Sequence, residues 1–134
     1  MTKKKIILDT NFLLIPGMFR VDIFSEIARV CEFDYELCII DRSLEELEGL
    51  SRGSGKAAGN AKLALSLLRT KSVKLIKTST LAKSADDAIL NAAASAPEST
   101  VVATQDGPLK RSLRGLSVPL LVLRQKRHVQ LIGG

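Results

Sequence analysis

Short apolar runs along the chain alternate with longer segments whose apolar residues recur every three or four positions. The short runs, such as Ile6 to Leu8, are typical of strands buried on both faces, and the longer ones are typical of helices. The pattern predicts strands at 3–8, 37–40, 73–76, 100–104 and 119–123, and helices at 18–31, from Ser43, at 56–70, 84–95 and 108–114. This alternation favours an α/β fold in which helices cover both faces of a mostly parallel sheet.

Length and composition fit one globular domain. The chain has 134 residues, of which 46% are hydrophobic and 25% charged, so we expect a single domain over residues 1–134. No uncharged apolar stretch reaches the roughly 18 residues of a membrane span, and Asp9 interrupts the first apolar run. Cys31 and Cys38 form no C-x-x-C motif. We therefore expect a cytoplasmic protein with no membrane partner.

Positive charge is concentrated in two parts of the chain. The formal net charge is +6; residues 49–83 contain no acid, and 107–134 contain six basic residues and no acid, with a basic C-terminal segment at 124–134. Basic tracts are common on solvated faces, but they also suit a phosphate backbone, so RNA is the expected partner. All five aromatic residues lie within the first 35 positions, which excludes a base-stacking sheet face. The candidate RNA contacts are Arg52, Lys56, Lys62, Lys110, Arg111, Arg124 and Arg127.

Four acidic residues lie where a predicted strand gives way to a helix: Asp9, Glu46, Asp87 and Asp106. Each has a structural interpretation, because Asp9 and Asp106 can cap helices and both Ser43-x-x-Glu46 and Ser84-x-x-Asp87 fit a capping box. Taken together, they favour a site, because the carboxyl ends of parallel strands meet at one edge of the sheet. Converging carboxylates repel one another unless a cation neutralises them, and Mg²⁺ or Mn²⁺ prefers such oxygen ligands.

Other kinds of catalytic site have little support in the sequence. His128 has no neighbouring partner for acid–base chemistry. Gly53-Ser54-Gly55-Lys56 lacks the earlier glycine of a P-loop, because Leu50 occupies that position. Metal-assisted hydrolysis of a phosphodiester is the chemistry that remains.

The acid-bearing segments resemble those of the PIN-domain ribonucleases: Ile7-Leu8-Asp9-Thr10-Asn11, Leu44-Glu45-Glu46-Leu47, Ala85-Asp86-Asp87-Ala88-Ile89-Leu90 and Val102-Ala103-Thr104-Gln105-Asp106. The resemblance implies a three-layer α/β/α fold with a five-stranded parallel sheet in the order 3-2-1-4-5. It also implies one or two Mg²⁺ or Mn²⁺ ions and cleavage of single-stranded RNA. By the same resemblance the four acids hold the ions or orient water, Asn11 steadies the cluster, and Thr104 positions water or substrate.

The end of the chain, from Ala103-Thr104-Gln105-Asp106 through Val118-Pro119 to Arg127-His128, looks most like the branch of this family that processes pre-ribosomal RNA. The family usually has a polar or acidic residue two positions after the fourth acid, where this chain has Pro108.

Two residue choices and three functions stay open. Glu45 competes with Glu46, and we favour Glu46; Asp86 competes with Asp87, and we favour Asp87, since adjacent residues point about 100° apart on a helix. The first functional hypothesis is a metal-dependent endoribonuclease acting on structured or ribosomal RNA. The second is the toxin of a toxin–antitoxin pair, with an antitoxin as partner, and the third a non-catalytic RNA-binding assembly factor. A homodimer is also left open.

Overall fold

The strands of the computed structural model form a single sheet, and the helices lie on its two faces. The structure describes residues 3–78 and 80–133. In these ranges the strands are β1 (Lys4–Leu8), β2 (Tyr35–Ile40), β3 (Lys74–Ile76), β4 (Thr100–Ala103), β5 (Leu120–Arg124) and β6 (His128–Ile132). The helices are α1 (Thr10–Leu13), α2 (Ile15–Phe19), α3 (Ile23–Val30), α4 (Asp41–Ser51), α5 (Gly55–Thr70), α6 (Ala85–Ser95) and α7 (Gly107–Gly115), with a 3₁₀ turn at Pro97–Ser99.

The sheet has the order β3-β2-β1-β4-β5-β6. Its first five strands are parallel, which confirms the predicted α/β class and strand order. Ile7 of β1 is in register with Cys38 on one side and Val102 on the other. The strand that ends at Asp9 is therefore central, and the crossovers place the carboxyl ends of all five strands on one edge.

The sixth strand was not predicted. β6 pairs antiparallel with β5, in a segment that the sequence indicated only as basic. The turn between them places Gln125 and Lys126 at φ values of 54° and 55°, and the Arg127 amide donates to the Arg124 carbonyl at 3.0 Å. Such a turn normally uses Asn-Gly or Asp-Gly, so its usual sequence signal is absent here.

Each central strand contributes to two cores, which explains its continuous apolar run. Ile6 and Leu8 are buried with α1–α5 on one face, whereas Ile7 and Val102 are buried with α6 and α7 on the other. Successive strand residues point to opposite faces, so a strand with helices on both sides has no polar face. The three-layer arrangement follows directly from that pattern.

One predicted helix and one predicted capping box were wrong. The expected helix over 18–31 is two helices, because the chain turns at Arg20 (φ 56°) and restarts where Asp22 caps α3 through the amides of Phe24 and Ser25. Helix α4 begins at Asp41, ahead of the expected start, so Ser43 lies inside it and cannot form the expected capping box. The box at Ser84 does form on one side, since its hydroxyl accepts from the Asp87 amide at 3.1 Å.

Two further observations concern the hydrophobicity of the helices and the state of the two cysteines. Within the described ranges, no helix is long and apolar enough to cross a membrane. Cys31 and Cys38 are both buried and are free thiols.

A close approach between α2 and α5 makes a specific demand on Gly17. A Cβ added there would lie 2.4 Å from Asn60 Oδ1 and 3.0 Å from its Cα, so the helix backbone itself would have to move. We expect Gly17→Ala to lower the free energy of unfolding by about 1–3 kcal/mol, measured by urea denaturation. Gly59→Ala is the matched control, because a Cβ at Gly59 on α5 meets nothing within 4 Å. It should be neutral or stabilising by about 0.5–1 kcal/mol, and equal destabilisation of both variants would contradict the packing argument.

Candidate active site

The four acid-bearing segments all reach the carboxyl edge of the sheet. Asp9 follows β1 directly, and Asp106 lies three residues after the end of the adjacent strand β4. Helices α4 and α6, which carry the other acids, start at the same edge, after β2 and β3. The parallel topology thus places residues that are far apart in sequence at one edge of the sheet.

Asp9 is the buried member of this group. Its residue surface is only 3% exposed, one carboxylate oxygen accepts from the Thr10 amide at 2.8 Å, and the other accepts from the Thr104 hydroxyl at 2.6 Å. The pKa of Asp9 is raised from 3.8 to about 6, chiefly by burial; the two hydrogen bonds oppose this increase, and the negative charges of Asp86 and Glu46 add to it. The Asp9 carboxylate therefore caps α1 and also interacts with the negative charges of Asp86 and Glu46.

Thr104 links Asp9 to the fourth acid. Its fully buried hydroxyl donates to Asp9 and accepts from the Asp106 amide at 3.1 Å. Asn11 holds the same turn, because its side-chain oxygen accepts from the Gln105 amide at 3.0 Å. The Asp106 carboxylate accepts from the Leu109 amide at 2.8 Å and so caps α7. The structure therefore places Asn11 and Thr104 where they position the backbone that carries Asp106.

Glu46 approaches Asp9 through a threonine whose role was missed in the sequence. The Thr10 hydroxyl donates to Glu46 at 2.8 Å, which holds this exposed side chain next to the end of β1. The side chain of the neighbouring Glu45 is exposed and forms no hydrogen bond with the described residues. The position of Thr10, directly after Asp9, was the only available sequence signal for its role.

The adjacent acids on α6 have different environments. Partial loss of hydration raises the pKa of Asp86, and the negative charges of Asp106 and Glu46 add to that increase. Asp87 instead belongs to the start of its helix, with its carboxylate accepting from the Lys83 amide at 3.2 Å and its own amide donating to Ser84. The sequence favoured Asp87 as the inner residue, whereas in the structure Asp86 is the one that interacts with the other carboxylates.

The donor set fits a hard divalent cation in chemistry. The groups around Asp9 are carboxylates, a hydroxyl and an amide oxygen, which are the ligand types of Mg²⁺ and Mn²⁺. A cation would also relieve the repulsion that raises the pKa values of Asp9 and Asp86. Within residues 3–78 and 80–133, however, no three His, Cys, Asp or Glu side chains are close enough to hold an ion as they stand.

A buried hydroxyl with no partner lies on the helix that carries Glu46. Ser43 is fully buried, and its Oγ has no hydrogen-bond partner among the residues that the structure describes. It precedes Glu46 by three positions, so both side chains lie on the same side of α4. A buried hydroxyl without a partner costs stability.

The candidate RNA contacts lie on several elements. Arg52 follows α4, Lys56 and Lys62 are on α5, Lys110 and Arg111 on α7, Arg124 ends β5, and Arg127 lies in the turn after it. All are exposed except Lys110, which is half-buried. Arg111 lies close to the segment that carries Asp106, since its Nη1 would be 3.6 Å from a Cβ added at Gly107, the next residue. His128 is exposed on β6.

Comparisons with known proteins agree on one family. Residues 6–126 match the family model described as a PIN like domain. The chain is 37% identical over 131 residues to "Ribonuclease VapC4" of Methanocaldococcus jannaschii, covering 96% of this chain and 97% of that protein.

Two solved structures are similar in fold. One is the PIN domain endonuclease Utp24, with a TM-score of 0.80 and 23% identity over 97% of this chain and 92% of that chain. The other is a domain of a functionally unknown protein from Methanocaldococcus jannaschii, with a TM-score of 0.58 and 15% identity over 90% and 91% of the two chains.

The environment of Asp9 predicts how stability depends on pH without a divalent cation. A carboxyl group whose pKa is raised on folding favours the protonated folded state, so its contribution is greatest below pH 3.8 and is lost as the pH rises towards 6. The loss amounts to about 3 kcal/mol, from a shift of about two pKa units. In EDTA we expect Asp9→Asn to be more stable than wild type at pH 7 and close to it at pH 4, measured by urea denaturation.

Asp22→Asn provides a control of opposite sign. Hydrogen bonds from Ser25 lower the pKa of Asp22, so its contribution is present at neutral pH and is lost as the pH falls through its folded value. That variant should be less stable than wild type at pH 7. If Asp9→Asn is likewise less stable than wild type at pH 7, Asp9 acts chiefly as the cap of α1, and the electrostatic interpretation is wrong.

Proposed function

Because the chain belongs to the PIN-domain ribonuclease family, we propose that it is a metal-dependent endoribonuclease whose site is formed by Asp9, Glu46, Asp86 and Asp106. The observation that carries this proposal is the buried Asp9 carboxylate, whose pKa is raised to about 6 beside other acids. Such an arrangement is unfavourable for stability and useful for binding a cation.

The residues would divide the work as follows. Asp9, Glu46, Asp86 and Asp106 would hold Mg²⁺ or Mn²⁺, one ion or two, with Thr10 and Thr104 fixing the orientation of Glu46 and Asp9. A bound ion would stabilise charge on the phosphate and lower the pKa of water. Asp87 would keep the start of α6 in place. The exposed basic side chains would attract the RNA backbone.

For the biological substrate, we propose ribosomal RNA or another single-stranded RNA. The similarity of the chain's end to the branch of the family that processes pre-ribosomal RNA supports this proposal. The second candidate is the toxin of a toxin–antitoxin pair. The similarity to "Ribonuclease VapC4" over nearly the whole of both chains favours it.

Two observations in the host would separate these candidates. An adjacent antitoxin gene, together with growth arrest on expression that Asp9→Asn abolishes, favours the toxin. Accumulation of unprocessed ribosomal RNA on depletion of the protein favours processing. A non-catalytic assembly factor has less support, because all the acids of the predicted set are present.

Cleavage by paired variants tests the assignment of the acids. We expect Asp9→Asn, Glu46→Gln, Asp86→Asn and Asp106→Asn each to reduce the single-turnover rate by about 100-fold or more, since each removes a group that would hold the ion. The neighbours serve as matched controls: Glu45→Gln and Asp87→Asn should remain within about tenfold of wild type. The measurement is cleavage of a labelled single-stranded RNA in Mn²⁺.

The products provide an independent check. In the proposed hydrolysis, water would attack the phosphorus and the bond to the 3′-oxygen would break, which leaves a 5′-phosphate and a 3′-hydroxyl. Cleavage should stop in EDTA and should not need His128. Loss of activity in Asp87→Asn with retention in Asp86→Asn would reverse the assignment on α6. A 2′,3′-cyclic phosphate formed in EDTA would overturn the metal mechanism, because that product arises from attack by the RNA's own hydroxyl.

The basic residues predict a salt dependence of binding. Removing one cation that neutralises a phosphate should reduce the slope of log K against log salt by roughly 0.7 for a single strand. We therefore expect Arg52→Ala with Lys56→Ala, and separately Arg124→Ala with Arg127→Ala, to flatten the slope with little change in sequence preference. The measurement is RNA binding by Asp9→Asn protein across a salt series. Unchanged slopes in both pairs would remove these residues from the RNA interface.

A further inference from the structure

The loop between β3 and α6 is tied to the first residues of α4. Asp41 accepts from the Thr78 hydroxyl at 2.6 Å and from the Thr78 amide at 3.1 Å. Those bonds lower the pKa of Asp41, so this carboxylate stays ionised and acts as an anchor for the loop. Arg42 donates from Nη2 to the Thr80 carbonyl at 3.3 Å.

These anchors place the loop beside the candidate site. It leaves β3 at the carboxyl edge of the sheet and leads into α6, which carries Asp86. The same first turn of α4 that holds the loop leads on to Glu46. The loop is therefore fixed to the start of the helix that carries Glu46, and it leads directly into the helix that carries Asp86.

The loop presents an apolar side chain among cations. Leu81 is 88% exposed, the most of the exposed large hydrophobic residues in the described ranges, where the next is Met18 at 53%. Lys77 and Lys83 are exposed on the same loop. Arg42 uses one of its five N–H donors on Thr80, which leaves others for a phosphate.

This combination suits single-stranded RNA, which offers base faces together with phosphates. The aromatic residues that usually contact bases have other roles here: Phe12 and Phe24 are buried, Phe33 packs against Tyr35, and Phe19 lies under Lys126. Leucine can replace them as an apolar contact, since leucine side chains also insert between bases in other nucleic-acid complexes.

We propose that residues 77–78 and 80–84 of the loop between β3 and α6, anchored by Asp41 and Arg42, form an RNA-binding wall of the site, in which Leu81 contacts a base and Arg42 a phosphate. The wall would place the strand across Asp86. This inference rests on the proposed function. It adds Arg42 and Leu81 as substrate contacts, and Asp41 and Thr78 as positioning residues that act through the loop.

The first test separates binding from cleavage. Leu81→Ala should weaken binding of a labelled single-stranded RNA by about 5- to 10-fold, while the single-turnover rate at saturating RNA in Mn²⁺ stays within twofold. Leu63→Ala, at an exposed leucine on α5, is the matched control and should bind like wild type. Arg42→Gln should lower the salt slope by roughly 0.7, whereas Arg69→Gln, at the far end of α5, should not.

The second test concerns the anchor. Thr78→Val removes the hydroxyl that binds Asp41, and Thr78→Ser should restore binding. If Thr78 acts through Leu81, the double variant Thr78→Val/Leu81→Ala should bind no more weakly than Leu81→Ala alone. Additive effects of the two substitutions on binding would overturn the positioning role of Thr78.

The outcomes distinguish the two levels of inference. If wild-type protein cleaves RNA but Leu81→Ala and Arg42→Gln bind it normally, the wall is wrong and the proposed function stands. That result would point to a protein contact for Leu81. If wild-type protein neither binds nor cleaves single-stranded RNA with Mn²⁺, both inferences are wrong.

Discussion

The rest of the site depends on one buried charge at the end of the central strand. Asp9 is 3% exposed and lies close enough to Asp86 and Glu46 for their charges to raise its pKa. A carboxylate in that position costs stability unless hydrogen bonds or a cation compensate for it. The bonds from Thr10 and Thr104 supply part of that compensation. The negative charges of the neighbouring acids oppose that compensation, and a bound cation would offset their repulsion.

The helix caps and the site use the same residues. Asp9 caps α1 and Asp106 caps α7, while both belong to the acid-bearing edge. The two interpretations of these acids, structural and functional, are therefore compatible. A helix start after a parallel strand needs an acceptor for its amides, and that acceptor lies by topology where a ligand would bind. The fold thus places the four acids at one edge, where two of them also stabilise helix starts.

Charge separates the site from its surroundings. The chain carries a net charge of +6, yet acids occupy the edge where β1 and β4 end. Basic residues on α5, α7 and the turn after β5 would attract a polyanion that the acids themselves repel. If such a polymer is held near the acids, its phosphates need a cation between them and the carboxylates. The distribution of basic and acidic residues is therefore consistent with the proposed metal-dependent cleavage of RNA.

The apolar runs predicted the α/β class, and the acids that follow them predicted the edge where Asp9 and Asp106 lie, because both follow from local periodicity and parallel topology. The strand order was implied by the resemblance to the PIN-domain ribonucleases and not by the periodicity. What lacked a local signal was decided by tertiary structure. Strand β6 depends on a turn without Asn or Gly and on Val129 packing into the core. The environments of Asp86 and Asp87 differ because Asp86 interacts with the charges of acids on other elements, whereas Asp87 accepts a hydrogen bond at the start of its own helix. The spacing of acids along the sequence does not determine which carboxylates interact in the folded protein.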